Sequence, residues 1–214
     1  MIQSAIFDLD GTLIDSTHVW EKVDEIFLKK RGIELPSDYV KKVQSCGFYE
    51  AAVYTIQRFS LHEQPEQVMN EWYALVDQEY KYHIQMKNGA KEYLFQLKGK
   101  GIKLGIASAL SPVLYEAVLQ NHGILDIFDF LCSTEMVGKG KEHPDVFLYA
   151  ADNLKSDPSQ CVVYEDILPA MQSARKAGME VWGVYDQASA DDWETICDFA
   201  DQVIVNWDEA PFPG

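Results

Sequence analysis

Residues 2–7 form a short apolar run that stops at Asp8-Leu9-Asp10-Gly11-Thr12, where acids, a glycine and a hydroxyl arrive together. A run of this length ending in turn chemistry predicts a buried strand that opens into a functional loop. Beyond it the period changes. Val19, Val23, Ile26 and Phe27 recur at i, i+4, i+7 and i+8, and Val68, Trp72, Leu75 and Val76 repeat the spacing, which predicts amphipathic helices. Gly32 supplies a stop for the first of these and Ser37, after Pro36, a start for another, while Ala52, Val53 and Ile56 mark a further apolar face. No strand pattern interrupts residues 18–82, so this segment reads as an all-helical module.

From Asn88 onward, helix and strand patterns alternate. A helix on Ala90, Leu94 and Leu97 ends in Gly99-Lys100-Gly101, and residues 102–107 follow as a strand. A helix over 112–123, a strand over 130–133, a helix on Phe147, Ala150, Ala151 and Leu154, a strand over 161–164 and a helix reaching Gly178 come next. Strands over 181–184 and 202–205 complete the series. Alternation at this spacing predicts a parallel sheet covered by helices on both faces. The first strand needs the same burial, so it joins that sheet across the helical insertion. The expected architecture is α/β: a Rossmann-like core of residues 1–15 and 84–214, interrupted by a helical cap domain, residues 16–83. The terminal Pro211-Phe212-Pro213 reads as a frayed end.

Composition narrows the functions open to such a fold. The 214 residues, 47% of them hydrophobic, suffice for one large or two small domains. Acidic residues outnumber basic ones by 34 to 18, a net charge of -16, which repels nucleic acid and anionic membrane surfaces. Neither is expected as a partner. Cys46, Cys132, Cys161 and Cys197 form no CxxC pair and have no His at metal-site spacing, so they read as buried or inert thiols of a reducing compartment. The chain begins without a basic and apolar leader and has no membrane-length apolar run, which points to a cytoplasmic protein, monomeric or weakly homo-oligomeric.

Ligands of an open parallel sheet bind outside the carboxyl ends of its strands, so the polar residues terminating each apolar run belong together. They are Asp8, Asp10, Gly11 and Thr12 after the first strand, Ser108 after the second, Glu165 and Asp166 after the fourth, and Lys141 ahead of a helix. Any one alone reads more simply as a cap or loop residue. Four carboxylates on one rim repel one another, and burying them uncompensated costs more than a domain's net stability. A cation must bind there. Oxygen-only ligands suit Mg²⁺, which keeps waters and is shared with a phosphate. With Lys141 adding a fixed charge, and Ser108 and loop amides donating hydrogen bonds, the site suits phosphoryl transfer.

The strings FDLDGT, IASA, KEHPD and VVYEDILPAMQSARKAGM resemble, in order, the four signature motifs of the haloacid dehalogenase superfamily, with that family's helical cap inserted directly after the first. The similarity spans nearly the whole chain, and the four motifs are jointly far more specific than a lone DxDGT. The resemblance implies that Asp8 is the nucleophile, forming an aspartyl phosphate, and Asp10 the general acid and base. It implies Mg²⁺ held by the side chains of Asp8 and Asp166 and the backbone carbonyl of Asp10, with Glu165 binding directly or one layer out. Ser108, Ala109 and Lys141 then hold the phosphoryl oxygens, and Lys141 also steadies Asp8. Gly11 lets the backbone turn and approach closely.

The chain departs from the family pattern at two places. Ile167, Pro169 and Ala170 occupy the turn where a small residue and a Gly are usual, and Glu142-His143 alters the loop beside Lys141. Pro169 fits the first turn of a helix, His143 reads as solvent-facing, and Ser111-Pro112 as an N-cap and first helical residue. The resemblance places a specificity loop at Gly47-Phe48-Tyr49-Glu50. Related β-phosphoglucomutases grip a second phosphate there with an arginine, so Glu50 favours a monophosphate, although Lys42 and Arg58 are other cations of the cap. Trp20 reads as a buried cap residue and His18 as a helix cap.

The implied activity is a Mg²⁺-dependent phosphatase acting on a small phosphomonoester, a sugar or other metabolite phosphate. A phosphomutase of the β-phosphoglucomutase type is the alternative. A dehalogenase is disfavoured, because that branch lacks the carboxylate of Asp10. From another class, a non-catalytic phosphate-accepting signalling module shares the acidic rim but has no use for Asp10 or a cap.

Overall fold

The computed structural model describes residues 1–214 except Ser45. In chain order its elements are β1 (Ser4–Phe7), β2 (Ile14–Asp15), α1 (Thr17–Lys29), α2 (Ser37–Gln44), α3 (Phe48–Phe59), α4 (Pro65–Tyr82) and β3 (Gln85–Met86). There follow α5 (Ala90–Gly99), β4 (Lys103–Ser108), α6 (Pro112–Asn121), β5 (Phe130–Ser133), α7 (Thr134–Val137), α8 (Asp145–Asn153), β6 (Cys161–Glu165), α9 (Leu168–Lys176), β7 (Glu180–Val184), α10 (Trp193–Phe199) and β8 (Gln202–Ile204).

Six strands form one parallel sheet in the order β5-β4-β1-β6-β7-β8. Every residue of β1 and β6 is buried, as expected for central parallel strands covered on both faces. Their side chains alternate between two cores. Ala5 and Phe7 join Tyr164, Leu104 and the side of α5 and α6, whereas Ile6 and Val163 join Phe147, Met171 and the side of α8 and α9. The Phe7 and Tyr164 rings stack with centroids 4.3 Å apart. From β1 the chain runs outward through β4 and β5, then returns to β6 on β1's other side. The carboxyl ends of β1 and β6 therefore flank the topological switch point, where an open sheet splays to admit a ligand.

Helices α1 to α4 lie between β2 and β3, which pair antiparallel through Ile14–Met86 and Asp15–Gln85. These two-residue strands are too short to show a period-2 pattern, and the sequence signalled neither. The cap helices pack around an aromatic group in which Trp72 meets Phe27 at 5.6 Å and Phe48 at 5.5 Å between ring centroids.

Several boundaries shift from expectation. The second core strand begins at Lys103 because the amide of Ile102 bonds back to Leu97 O at 3.2 Å, closing α5. Helix α6 stops at Asn121, before Gly123 turns at φ 64°, and β8 stops at Ile204 with Val205 exposed. The C-terminus is docked, not frayed. Phe212 stacks on Tyr93 with centroids 5.4 Å apart, Tyr93 Oη donates to Pro211 O at 2.7 Å, and the Ile2 amide donates to Gly214 O at 2.7 Å. Cys46, Cys132 and Cys161 are buried, but Cys197 is exposed, because it lies on the outer side of α10 where only Ile196 is buried. Among the described residues, no helix is long and apolar enough to cross a membrane.

Candidate active site

The loop after β1 is shaped by its own backbone. Leu9 O accepts the amides of Thr12, Leu13 and Ile14 at 2.9–3.1 Å, and Gly11 turns at φ 78°. A Cβ at Gly11 would stand within 2.9 Å of Asp166 Cγ, so only glycine lets the β1 loop approach the β6 loop this closely. Lys87, just after β3, ties the arrangement together. Its ammonium donates to Gly11 O and, at 2.7 Å, to Tyr185 O, and pairs with Asp186 at 2.9 Å. Asp186 also accepts from Thr17 Oγ1 at 2.9 Å, at the start of α1.

Asp8, Glu165 and Asp166 are all buried, and each offers a carboxylate oxygen within 4.8 Å of the others. Lys141 reaches in from the loop before α8, only 2% exposed, and its ammonium bridges Asp8 and Glu165. Ser173 of α9 donates to the Lys141 carbonyl, fixing the backbone beneath the ammonium. Glu165 Oε2 accepts the amide of Asp166 at 3.1 Å. Burial alone would favour the neutral amine of Lys141, but Asp8 and Glu165 outweigh it and hold the group protonated. One ammonium does not neutralise three carboxylates. Burial pushes Glu165 up to about 7, partly offset by Lys141. Asp166 rises well above the ordinary carboxylate range through burial and the charges of Glu165 and Asp8.

Asp10 has a different environment. Ser16 Oγ and Tyr80 Oη both donate to its Oδ1, and Trp20 Nε1 donates to Tyr80 Oη. Desolvation and the neighbouring charge of Asp8 push its carboxyl up to about 7, while Ser16 and Tyr80 pull the other way. The sequence reading missed Tyr80. It lies in the buried stripe Val68, Trp72, Val76 and Tyr80 of α4, so its position reads as cap core, and no local pattern marks its hydroxyl.

These groups floor a cavity of about 120 Å³ beneath the cap. Asp8, Asp10, Lys141, Glu165, Asp166 and Ala109 all line it. Ser108 stands behind that wall. It is fully buried at the end of β4, where its Oγ accepts the amide of Leu110 at 3.0 Å and orders the loop carrying Ala109. Of the predicted specificity loop, Phe48 lines the cavity, Tyr49 is exposed and Glu50 accepts the Gly47 amide at 3.2 Å, capping α3. Trp20 also lines the cavity and is only partly buried, while His18 caps nothing: it is 66% exposed beside Asp15. His143 is exposed, and Ser111 and Pro112 begin α6 as expected, although Ser111 Oγ makes no capping bond. Pro169 lies in the first turn of α9.

A parallel sheet whose switch point carries an acidic cluster and a buried lysine, roofed by inserted helices, defines a capped Rossmann-like enzyme. The chain belongs to the haloacid dehalogenase-like hydrolase family, whose model matches residues 5–184. It is 30% identical to the hexitol phosphatase B of Escherichia coli (strain K12) over 184 residues, covering 83% of this chain and 81% of that one. It is also 30% identical to the bifunctional riboflavin kinase/FMN phosphatase of Arabidopsis thaliana, matching 97% of this chain and 56% of that protein, so it spans about half the length of that relative. The crystal structure of β-phosphoglucomutase from Clostridium difficile superposes with a TM-score of 0.83 at 24% identity, covering 99% of this chain and 94% of that one. That likeness concerns the fold.

Proposed function

We propose that the protein is a Mg²⁺-dependent phosphatase that hydrolyses a small phosphomonoester through an aspartyl phosphate on Asp8. The observation that carries this reading is the contact of Lys141 with Asp8, two residues from a separately hydrogen-bonded Asp10 in the same cavity. Asp8 attacks phosphorus as the ester P–O bond breaks, and Asp10 gives its proton to the departing alkoxide. Asp10 then takes a proton from the water that attacks the acyl phosphate, releasing phosphate and restoring Asp8. A carboxyl that titrates near 7 is suited to both duties.

The residues present fit a hard divalent cation. Asp166 is buried beside Glu165 and Asp8, and no ion pair satisfies it among the described residues. Asp8 and Asp166 would hold Mg²⁺ through their side chains and Asp10 through its carbonyl, with Glu165 direct or one layer out; the ion would supply positive charge to the phosphoryl oxygens. Lys141 and the loop at Ala109, which Ser108 orders from behind, position those oxygens. Residues 16–83 form the cap domain and residues 1–15 with 84–214 the catalytic core, the β2/β3 ribbon joining them.

Lys141 is the only basic side chain lining the cavity among the described residues. A bisphosphate therefore has no second cationic seat, which supports hydrolysis over a mutase cycle. A relative named for hexitol phosphate supports a small metabolite ester as substrate. The test is release of inorganic phosphate from 4-nitrophenyl phosphate with MgCl₂ and with EDTA. Mg²⁺-dependent release, abolished in Asp8→Asn, is expected; equal rates in EDTA refute the reading.

A further inference from the structure

Four residues of α1, Thr17, Trp20, Glu21 and Asp24, line the cavity, at the i, i+3, i+4, i+7 spacing of a single helix face. Thr17 marks the catalytic end: its Cγ2 lies 3.1 Å from where a Gly11 Cβ would be, and its hydroxyl bonds Asp186. Asp24 is seven residues further on, about 10 Å along the axis at the rise of an α-helix. The cap wall around it is largely apolar, including Val43, Phe48 and Trp72. A carboxyl in such a place, 6% exposed, is costly unless it is hydrogen-bonded.

One protein hydroxyl reaches it. Burial pushes the Asp24 carboxyl up to about 7, and a hydrogen bond from Tyr39 Oη pulls the other way. Tyr39 Oη also lies 2.7 Å from Thr55 Oγ1, which lies 2.7 Å from Ala51 O. A carboxylate accepts several hydrogen bonds and Tyr39 has one proton to give, so the remaining lone pairs of Asp24 are left for a donor in the cavity it lines. Glu21 adds negative charge to the same face, and the cap wall has no cation among the described residues, so a second anionic group is disfavoured and a donor favoured.

We propose that Asp24 is the specificity-determining residue of the cap, accepting a hydrogen bond from a hydroxyl or ammonium group on the alcohol portion of the substrate. This rests on the phosphatase reading and narrows it to monophosphates of polyols or amino alcohols. The wild type and the Asp24→Asn and Asp24→Leu variants are compared on 4-nitrophenyl phosphate, on polyol monophosphates of three to six carbons, and on phosphoethanolamine. The readout is each ester's kcat/KM relative to the aryl ester, with circular dichroism to verify folding.

Asp24→Leu is expected to lower that ratio at least tenfold for the preferred ester, since a site built around a hydrogen bond discriminates strongly. Asp24→Asn retains an acceptor oxygen but no charge, so it spares a hydroxyl-bearing substrate and impairs an ammonium-bearing one, separating the two sources. If Asp24→Leu fails to fold, the wild-type preference among the three ester classes decides, together with the Asp24→Asn ratio where the preferred ester carries an ammonium group. An unchanged ratio in folded Asp24→Leu, or a wild type that favours the donor-free aryl ester over all others, overturns the proposal while leaving the phosphatase intact. A wild type inactive on every ester overturns the phosphatase reading as well.

Discussion

Tyr80, on the last cap helix, donates its hydroxyl to the carboxylate of Asp10, 70 residues earlier in the β1 loop. The indole of Trp20 donates in turn to Tyr80, so two cap residues hold the proposed acid in place. Asp10 is thus oriented by the cap as well as by its own loop. Tyr80→Phe keeps the ring and removes the donor; its expected effect is a fall in kcat of about tenfold, or ~1.4 kcal/mol, with KM changed less. Steady-state kinetics on an aryl phosphate test this, and an unaltered kcat argues against the positioning role.

Lys141 carries the charge balance of the buried cluster. Lys141→Met leaves Asp8 and Glu165 facing each other without their cation, a loss expected to cost about 3–5 kcal/mol. Urea unfolding at pH 8 in EDTA measures it. Adding Glu165→Gln to the variant removes one of the orphaned charges and should restore part of the stability; a purely additive double mutant would show that the charges are uncoupled.

At the other end of the molecule, Phe212 lies parallel to Tyr93 and under the ammonium of Lys100, 4.4 Å from the ring centroid. Phe212→Ala is expected to destabilise the protein by about 1 kcal/mol, without altering kcat, since neither Phe212 nor its partners line the cavity. Thermal unfolding combined with kinetics checks both halves.

The acidic rim was legible because its members follow apolar runs: Asp8 follows β1, Ser108 closes β4, and Glu165 closes β6. Strand periodicity alone places such residues at one edge of a parallel sheet. Tyr80 and Asp24 were not legible, because each falls on the buried stripe of its helix, where a polar atom's partner comes from a distant segment. The docking of Phe212 was hidden for a similar reason. Proline-rich composition describes local stiffness, whereas the site that receives the ring is built by α5 and the turn after it.

The last expectation concerns pH and metal together. In the unfolded chain, Asp10 and Glu165 release their protons near 3.8 and 4.5; in the folded chain they hold them to about 7, and Asp166 is also held up. Between those limits the native state binds more protons than the unfolded one, so the metal-free protein loses stability as pH rises from about 5 to about 7.5. The carboxylates of Glu63 and Glu71, held low chiefly by hydrogen bonds from Arg31, act oppositely, but their contribution is complete near the bottom of this window. A divalent cation competes with the protons and stabilises the native state it binds. The increase in Tm produced by MgCl₂ should therefore be larger at pH 8 than at pH 5.5, and Asp166→Asn should remove most of it. Thermal unfolding at the two pH values, with and without MgCl₂, gives the answer: an equal increase at both, or one that survives in Asp166→Asn, means that the ion is not held by this cluster.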